Sequence, residues 1–225
     1  MEININDTVL FYEKSGTGDP LILLHGNGED HHIFDKLAFR LKNHFTVYAL
    51  DSRNHGLSRK TDKYSYAVMA DDLLEFIKAL RLSGSAVLGF SDGAITALSA
   101  AAADKNSVGK MLLLGVNLKP EDFSKKDLKA MRDEYKKTGD PLLNLMLKEP
   151  NIDIEDLRSI SIPVLIAGAE NDVFDKSLFY AAAEAIPGAK VLIMKGHTHD
   201  SYVSGSDVLY PEIIDFLLHD SDRTD

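Results

Sequence analysis

Gly89-Phe90-Ser91-Asp92-Gly93 holds a serine between two glycines, with the apolar run 86–88 before it and the alanine-rich segment 94–103 after it. A G-x-S-x-G pentad between a strand and a helix lifts the serine hydroxyl off the sheet on a tight, strained turn. Glycine is needed on both sides because a Cβ there would meet neighbouring backbone. The hydroxyl then lies near a helix N-terminus, whose partial positive charge favours a developing anion. The chemistry this suggests is nucleophilic attack by Ser91 on a carbonyl carbon. The alternative is an N-cap serine for the following helix, a role that has no need of both glycines.

A serine hydroxyl is a poor nucleophile near neutral pH. It needs a base within hydrogen-bond reach, and the base needs an orienting carboxylate. Asp172 follows the apolar run 164–167, and His199 follows 191–194. Both stand at carboxyl ends of expected strands, the edge where open α/β sheets place their sites. Spacing alone leaves His197 open beside His199, and Glu170 and Asp175 open beside Asp172.

The elements that must position these groups alternate along the chain. Residues 3–5 and 9–13 form an expected hairpin, with Asn6-Asp7 at the turn. Residues 21–24, 45–50, 110–116, 162–167 and 190–194 are short apolar runs, as strands buried on both faces require. Between them Ile33, Leu37 and Leu41 recur at helical spacing, and residues 66–80 carry Met69, Leu73, Leu74, Ile77 and Leu80 on one stripe. Residues 178–186 and 209–218 complete the expected helices. The alternation predicts an α/β fold: a mainly parallel central sheet with helices on both faces. Residues 118–161 break the rhythm with two short helices, one opening at Ser124 and one at Asp140-Pro141, where aspartate caps and proline takes the first turn. The apolar patch of Leu142, Leu143, Leu145, Met146 and Leu147 either packs on the sheet edge or roofs a pocket as a small helical lid.

Over nearly its whole length the chain resembles the α/β-hydrolase family, and four ordered segments carry the resemblance. Leu21-Ile22-Leu23-Leu24-His25-Gly26-Asn27-Gly28 is similar to the family's strand and oxyanion loop, and Asp51-Ser52-Arg53-Asn54-His55-Gly56-Leu57-Ser58 to its D-x-R-G-x-G-x-S turn. The pentad matches its nucleophile elbow. Asn171-Asp172-Val173 and Gly196-His197-Thr198-His199-Asp200 look like its acid and histidine loops, in the order serine, acid, histidine. The resemblance implies a triad of Ser91, Asp172 and His199, with backbone N–H groups of Asn27 and Asp92 as the oxyanion hole. It favours His199 over His197, and gives His25 the task of holding the loop. Three departures stand out. Asn54 replaces a glycine but tolerates positive φ, and Ala169 follows Gly168 where the loop glycine usually falls. Asp92, where the family more often has Met, Gln or Leu, either pairs with a cationic substrate group or stiffens the elbow as a buried carboxylate. Asp92, Leu142 and Met146 are the candidate substrate contacts.

Composition bounds the rest. The 225 residues suit one domain, and a net charge of −10 without a Lys/Arg run argues against a nucleic-acid partner. Cysteine is absent, the N-terminus is unlike a signal peptide, and no apolar run approaches a bilayer span. A cytoplasmic location is therefore expected. His31-His32, with His25 or His55, lacks a recognised zinc spacing, and no G-x-G-x-x-G or P-loop occurs, so neither metal nor cofactor is expected. The expected activity is that of a serine esterase of carboxylesterase type, acting on a small ester, thioester or activated amide. A C–C bond hydrolase with the same triad, needing a basic group such as Arg53 or Arg59 for a carboxylated substrate, is the alternative within enzymes. A non-turnover ligand sensor on the same fold is the alternative outside them.

Overall fold

Alternate residues of the central strands enter two different cores, and this decides the layering of the molecule. The computed structural model describes residues 1–63 and 65–219. Ile22 and Leu24 of β3 (Asp19–Leu24) pack into one core, while Leu21 and Leu23 pack into the other. The same division separates Val87 from Leu88 in β5 (Ser85–Phe90), and Leu113 from Leu112 and Leu114 in β6 (Val108–Leu114). Successive side chains of a strand point to opposite faces, so a run apolar at every position must be covered on both.

Among the described residues, eight strands form one sheet in the order β1-β2-β4-β3-β5-β6-β7-β8. β1 (Glu2–Ile5) and β2 (Thr8–Ser15) are antiparallel, and β2 meets β4 (Phe45–Leu50) antiparallel. From β4 through β7 (Val164–Asn171) to β8 (Lys190–Thr198) all pairings are parallel. One face is covered by α2 (Tyr66–Leu80), α3 (Asp92–Ala103) and α6 (Lys176–Ala185), which contribute Met69, Ile95 and Phe179 to that core. The other is covered by α1 (Asp35–Leu41) and α7 (Tyr210–Ile214), through Leu37 and Ile213. α3 is buried nearly all round, and its alanines let it lie close to the sheet and α2. Ser65 caps α2 by accepting from the Val68 N–H at 3.2 Å.

Several boundaries differ from the expected ones: β6 ends at Leu114, two residues early, and β7 starts at Val164 and runs on to Asn171. β8 runs on to Thr198, because β7 continues to Asn171 and the two pair there after an irregularity in register. The closing helix gives way at Asp215 to a π turn, Asp215–His219, where Lys110 Nζ donates to the carbonyls of Phe216 and Leu217 at 3.4 and 3.0 Å. Within 118–161, α4 (Lys125–Thr138) buries only Leu128, and α5 (Pro141–Met146) carries the expected Asp140 cap on the Leu142 N–H at 2.9 Å. Leu145 joins the core that α2, α3 and α6 share with the sheet. No described helix is long and apolar enough to cross a membrane.

Candidate active site

β5 ends at the pentad, and the turn there is as tight as its glycines imply. Ser91 has φ 52° and ψ −115°, a conformation that costs a residue with a Cβ about 1–3 kcal/mol. A Cβ on Gly89 would lie 2.3 Å from the Gly93 carbonyl oxygen, and one on Gly93 would lie 2.2 Å from that of Leu24. The strain is held from both sides. The Ser91 N–H donates to Leu114 O at 2.8 Å, and the Ser91 carbonyl accepts from Ala94 and Ile95 at 2.9 and 3.1 Å.

Beside this turn, β7 and β8 deliver an acid and a base that meet. His199 Nδ1 lies 2.7 Å from Asp172 Oδ1, and Asp172 Oδ2 accepts from the Ala169 N–H at 2.9 Å. Burial pushes the Asp172 carboxyl upward, but the hydrogen bond and charge of His199, with the Ala169 and Phe174 N–H groups, outweigh it and hold the carboxyl below its ordinary value. With Nδ1 donating to a carboxylate, a neutral imidazole carries its lone pair on Nε2. Phe90 and Phe174 flank the ring at centroid distances of 5.0 and 5.4 Å. The three alternatives are occupied elsewhere. His197 Nδ1 bonds Ser201 Oγ at 3.0 Å, Glu170 accepts from the Gly196 N–H, and Asp175 caps α6.

A cavity of about 380 Å³ opens onto Ser91 and His199. Phe90, Phe123, Met146 and Val173 give it apolar walls, while Asn27, Glu29 and Asp200 supply polar ones. None of the described residues around it is a lysine or an arginine. Met146 is one of the residues lining it. Leu142, one turn earlier in α5, is not among the lining residues; its carbonyl instead faces Asn27 Nδ2 at 3.5 Å. Asp92 also departs from its expected substrate contact. Its carboxylate is 2% exposed and accepts from Asn27 Nδ2 and the Tyr66 hydroxyl, each at 2.8 Å, behind the cavity wall. Burial raises this carboxyl despite both bonds.

The loop after β3 is bracketed by polar contacts. His25 Nε2 accepts from the Ser52 N–H at 3.1 Å, so its Nδ1 carries the proton and donates to Gly26 O at 2.7 Å. Burial, then the neighbouring His55, lowers the His25 imidazole to about 4, which keeps it neutral in that task. Glu29 Oε2 accepts from the Gly26 N–H at 2.9 Å, and burial raises its carboxyl.

Arg53 and the cluster of Asp30, His31 and His32 have structural partners, while Arg59 is exposed. Arg53 is 1% exposed and forks onto Asp72 with Nε at 2.5 Å and Nη2 at 2.8 Å; its Nη2 also reaches Asp7 at 3.2 Å. Asn54 takes φ 68°, as its side chain tolerates. Asp30, His31 and His32 bring ligand atoms within 4.8 Å of one another. Each has a protein partner, however. Asp30 accepts from the His32 N–H, His31 Nδ1 bonds Asp51 at 2.7 Å, and His32 Nδ1 lies 3.2 Å from Asp35.

Sequence reasoning missed Glu29, Tyr66, Phe123, Val173 and Gly115. Gly115 directly follows β6 at φ +60°, and a Cβ on it would lie 2.6 Å from His199 Cε1. Its signal was available: a glycine at the carboxyl end of a central strand, the edge that bears the site.

Comparison with known proteins identifies the family of the fold. Residues 19–140 match the model of the alpha/beta hydrolase fold. The chain belongs to that family. It is 34% identical over 143 residues to the human protein named Serine hydrolase BPHL, an alignment covering 60% of this chain and 49% of that protein. The mouse protein of the same name is 27% identical over 250 aligned positions, covering 96% of this chain and 85% of its own. The chain thus spans about half the length of the human relative in its alignment. Among solved structures, a thermophilic esterase from Thermogutta terrifontis superposes with a TM-score of 0.80 at 19% identity, covering 93% of each chain. The enol-lactonase from Burkholderia xenovorans LB400 also gives 0.80 at 19%, covering 96% of this chain and 99% of its own. At such identities these two establish the family's fold alone.

Proposed function

We propose that this alpha/beta hydrolase is a serine hydrolase that cleaves a small carboxylic ester, thioester or activated amide through an acyl-enzyme. One observation carries the proposal: the 2.7 Å contact of His199 Nδ1 with Asp172, beside a strained serine that opens on the same cavity. Ser91 Oγ attacks the carbonyl carbon while His199 Nε2 takes its proton, and Asp172 stabilises the imidazolium. The N–H groups of Asn27 and Asp92 receive the oxyanion. Asp92 opens α3, where helix geometry provides no intrahelical acceptor for the first N–H groups. Each such donor contributes about 10²–10³ in rate. The imidazolium then protonates the leaving group as its bond to the carbonyl carbon breaks. Water, deprotonated by His199, attacks the acyl-enzyme; the acid leaves and Ser91 regains its proton.

The walls narrow the substrate. Glu29 and Asp200 are the carboxylates at the cavity, and with Arg53 locked to Asp72 no described cation faces it. An anionic substrate is disfavoured there, which weighs against the C–C hydrolase alternative. Neutral or cationic esters suit it better, and carboxylesterase is the finer assignment. Phe123, two residues before α4, and Met146, the last residue of α5, line the cavity and support the 118–161 segment's role as a small lid over a modest acyl pocket.

The test is turnover of p-nitrophenyl esters of increasing acyl length, with a hemisuccinate ester as the anionic member, by wild type and Ser91→Ala. Turnover of short neutral esters, lost in Ser91→Ala, is expected, with the anionic ester poorest. Preference for the hemisuccinate would contradict the substrate argument. A folded protein with no ester turnover would contradict the esterase and favour the sensor or C–C hydrolase.

A further inference from the structure

Asn27 and Asp92 lie 65 residues apart, on different elements, yet the hydrolase proposal asks their two N–H groups to point at one oxygen. Asp92 is tied to α3 by its own backbone, and Thr96 Oγ1 fixes its carbonyl at 2.8 Å. Asn27 sits in a loop whose flanks are held by His25 and Glu29, through Gly26 on one side. Its direct link to the elbow is its side chain, which donates to Asp92 Oδ2 at 2.8 Å. The second carboxylate oxygen is taken by the Tyr66 hydroxyl of α2 at 2.8 Å. Both Asp92 and Tyr66 are almost wholly buried, at 2% and 3% exposure.

We infer that the Asn27 amide, the Asp92 carboxylate and the Tyr66 hydroxyl form a clamp that sets the spacing of the two oxyanion donors. Asp92 is then a positioning residue through its side chain, as well as a donor through its backbone. This inference rests on the serine-hydrolase proposal. Three physical features support it. A buried carboxylate is costly unless each oxygen is satisfied, and here the satisfying groups come from the oxyanion loop and from α2. The 2.8 Å bond from the Asn27 amide to this carboxyl ties the oxyanion loop directly to the first turn of α3. Asp92 also lies in the first turn of α3, where the helix dipole favours its charge. The same clamp reaches the 118–161 segment, because Asn27 Nδ2 also faces Leu142 O at 3.5 Å.

The pair can be reversed without changing its chemistry, and this gives the test. Asn27→Asp alone places two carboxylates face to face. Asn27→Asp with Asp92→Asn restores one amide donating to one carboxylate, while the side-chain carbonyl introduced by Asp92→Asn still accepts from Tyr66. The readout is kcat and KM for a neutral p-nitrophenyl ester, with thermal unfolding confirming that each variant is folded. The expected result is a fall in kcat of about 10²–10³ for Asn27→Asp with KM little changed, and recovery to within about tenfold of wild type in the double variant. If Asn27→Asp does not fold, Asn27→Ala is expected to lower kcat by at least about tenfold at unchanged KM. A folded double variant as slow as the single one overturns the clamp, as does an Asn27→Asp or Asn27→Ala variant with wild-type kcat. Wild type without Ser91-dependent turnover would remove the hydrolase proposal and the clamp together, so the two failures are distinguishable.

Discussion

Gly115→Ala isolates the placement of His199 from everything else in the site. The new Cβ would lie 2.6 Å from Cε1 and 3.0 Å from Nδ1 of the imidazole. Carbon atoms rest at about 3.5–4.0 Å, so the ring must retreat by roughly 1 Å. It cannot do so cheaply, because Asp172 holds Nδ1 at 2.7 Å and the rings of Phe90 and Phe174 stand on its flanks. A displacement of about 1 Å in a catalytic group costs on the order of 10² in rate. The backbone adds a separate cost: alanine at φ +60° destabilises by about 1–2 kcal/mol. Gly188→Ala supplies the control, since Gly188 has φ +75° with open space around its Cβ position. Both variants should lose stability in urea unfolding from the positive-φ cost, Gly115→Ala at least as much as Gly188→Ala because of the added contact with His199. Only Gly115→Ala should lose about a hundredfold in kcat/KM for a short neutral ester. Activity within about threefold of wild type in folded Gly115→Ala would refute the placement of His199 as the base.

Three further outcomes follow from the same structure. His25 is lowered by burial to about 4 from the ordinary 6.5, so the unfolded chain takes up the extra proton in that window; stability is intact above about 6.5 and falls as pH drops toward 4. Urea unfolding should show a His25-dependent loss of about 2 kcal/mol between about pH 7 and pH 5, reduced in His25→Gln; equal losses in the two proteins would contradict it. Arg53→Ala strands the buried carboxylate of Asp72 and should cost about 3–5 kcal/mol, while leaving the ratio of anionic to neutral ester turnover unchanged. A shift in that ratio would place Arg53 at the substrate. Asp172→Asn should lower kcat by about 10³–10⁴ at similar stability, because an amide cannot hold the Nδ1 proton in place; a loss under about tenfold would point to another acid.

Most of the frame was legible because its signals are local. Apolar runs such as 21–24 and 164–167 required burial on both faces, and Gly89 and Gly93 named the turn between strand and helix. Asp140-Pro141 marked its helix start directly. What escaped depends on contacts between distant segments. The polar stretch Lys195 to Thr198 carries no hydropathy signal as strand, and it becomes one only because β7 extends beside it to Asn171. Glu29 looks like an ordinary loop acid until the fold turns it back onto Gly26. Asp92 was weighed between a substrate contact and a stiffening carboxylate, and its partners decide its place: Tyr66 is 26 residues away and Asn27 is 65. Arg53, a substrate-binding candidate by its type, is claimed by Asp72 on α2. Leu142 shows the limit of a helical patch as a guide, since Met146 one turn on reaches the cavity and Leu142 does not.

The most direct measurement of the central claim is covalent labelling of the native protein with a fluorophosphonate, followed by peptide mapping. A single adduct per chain is expected, on Ser91, absent from Ser91→Ala and strongly slowed in His199→Ala. An unlabelled native protein, or an adduct on any other residue, would contradict it.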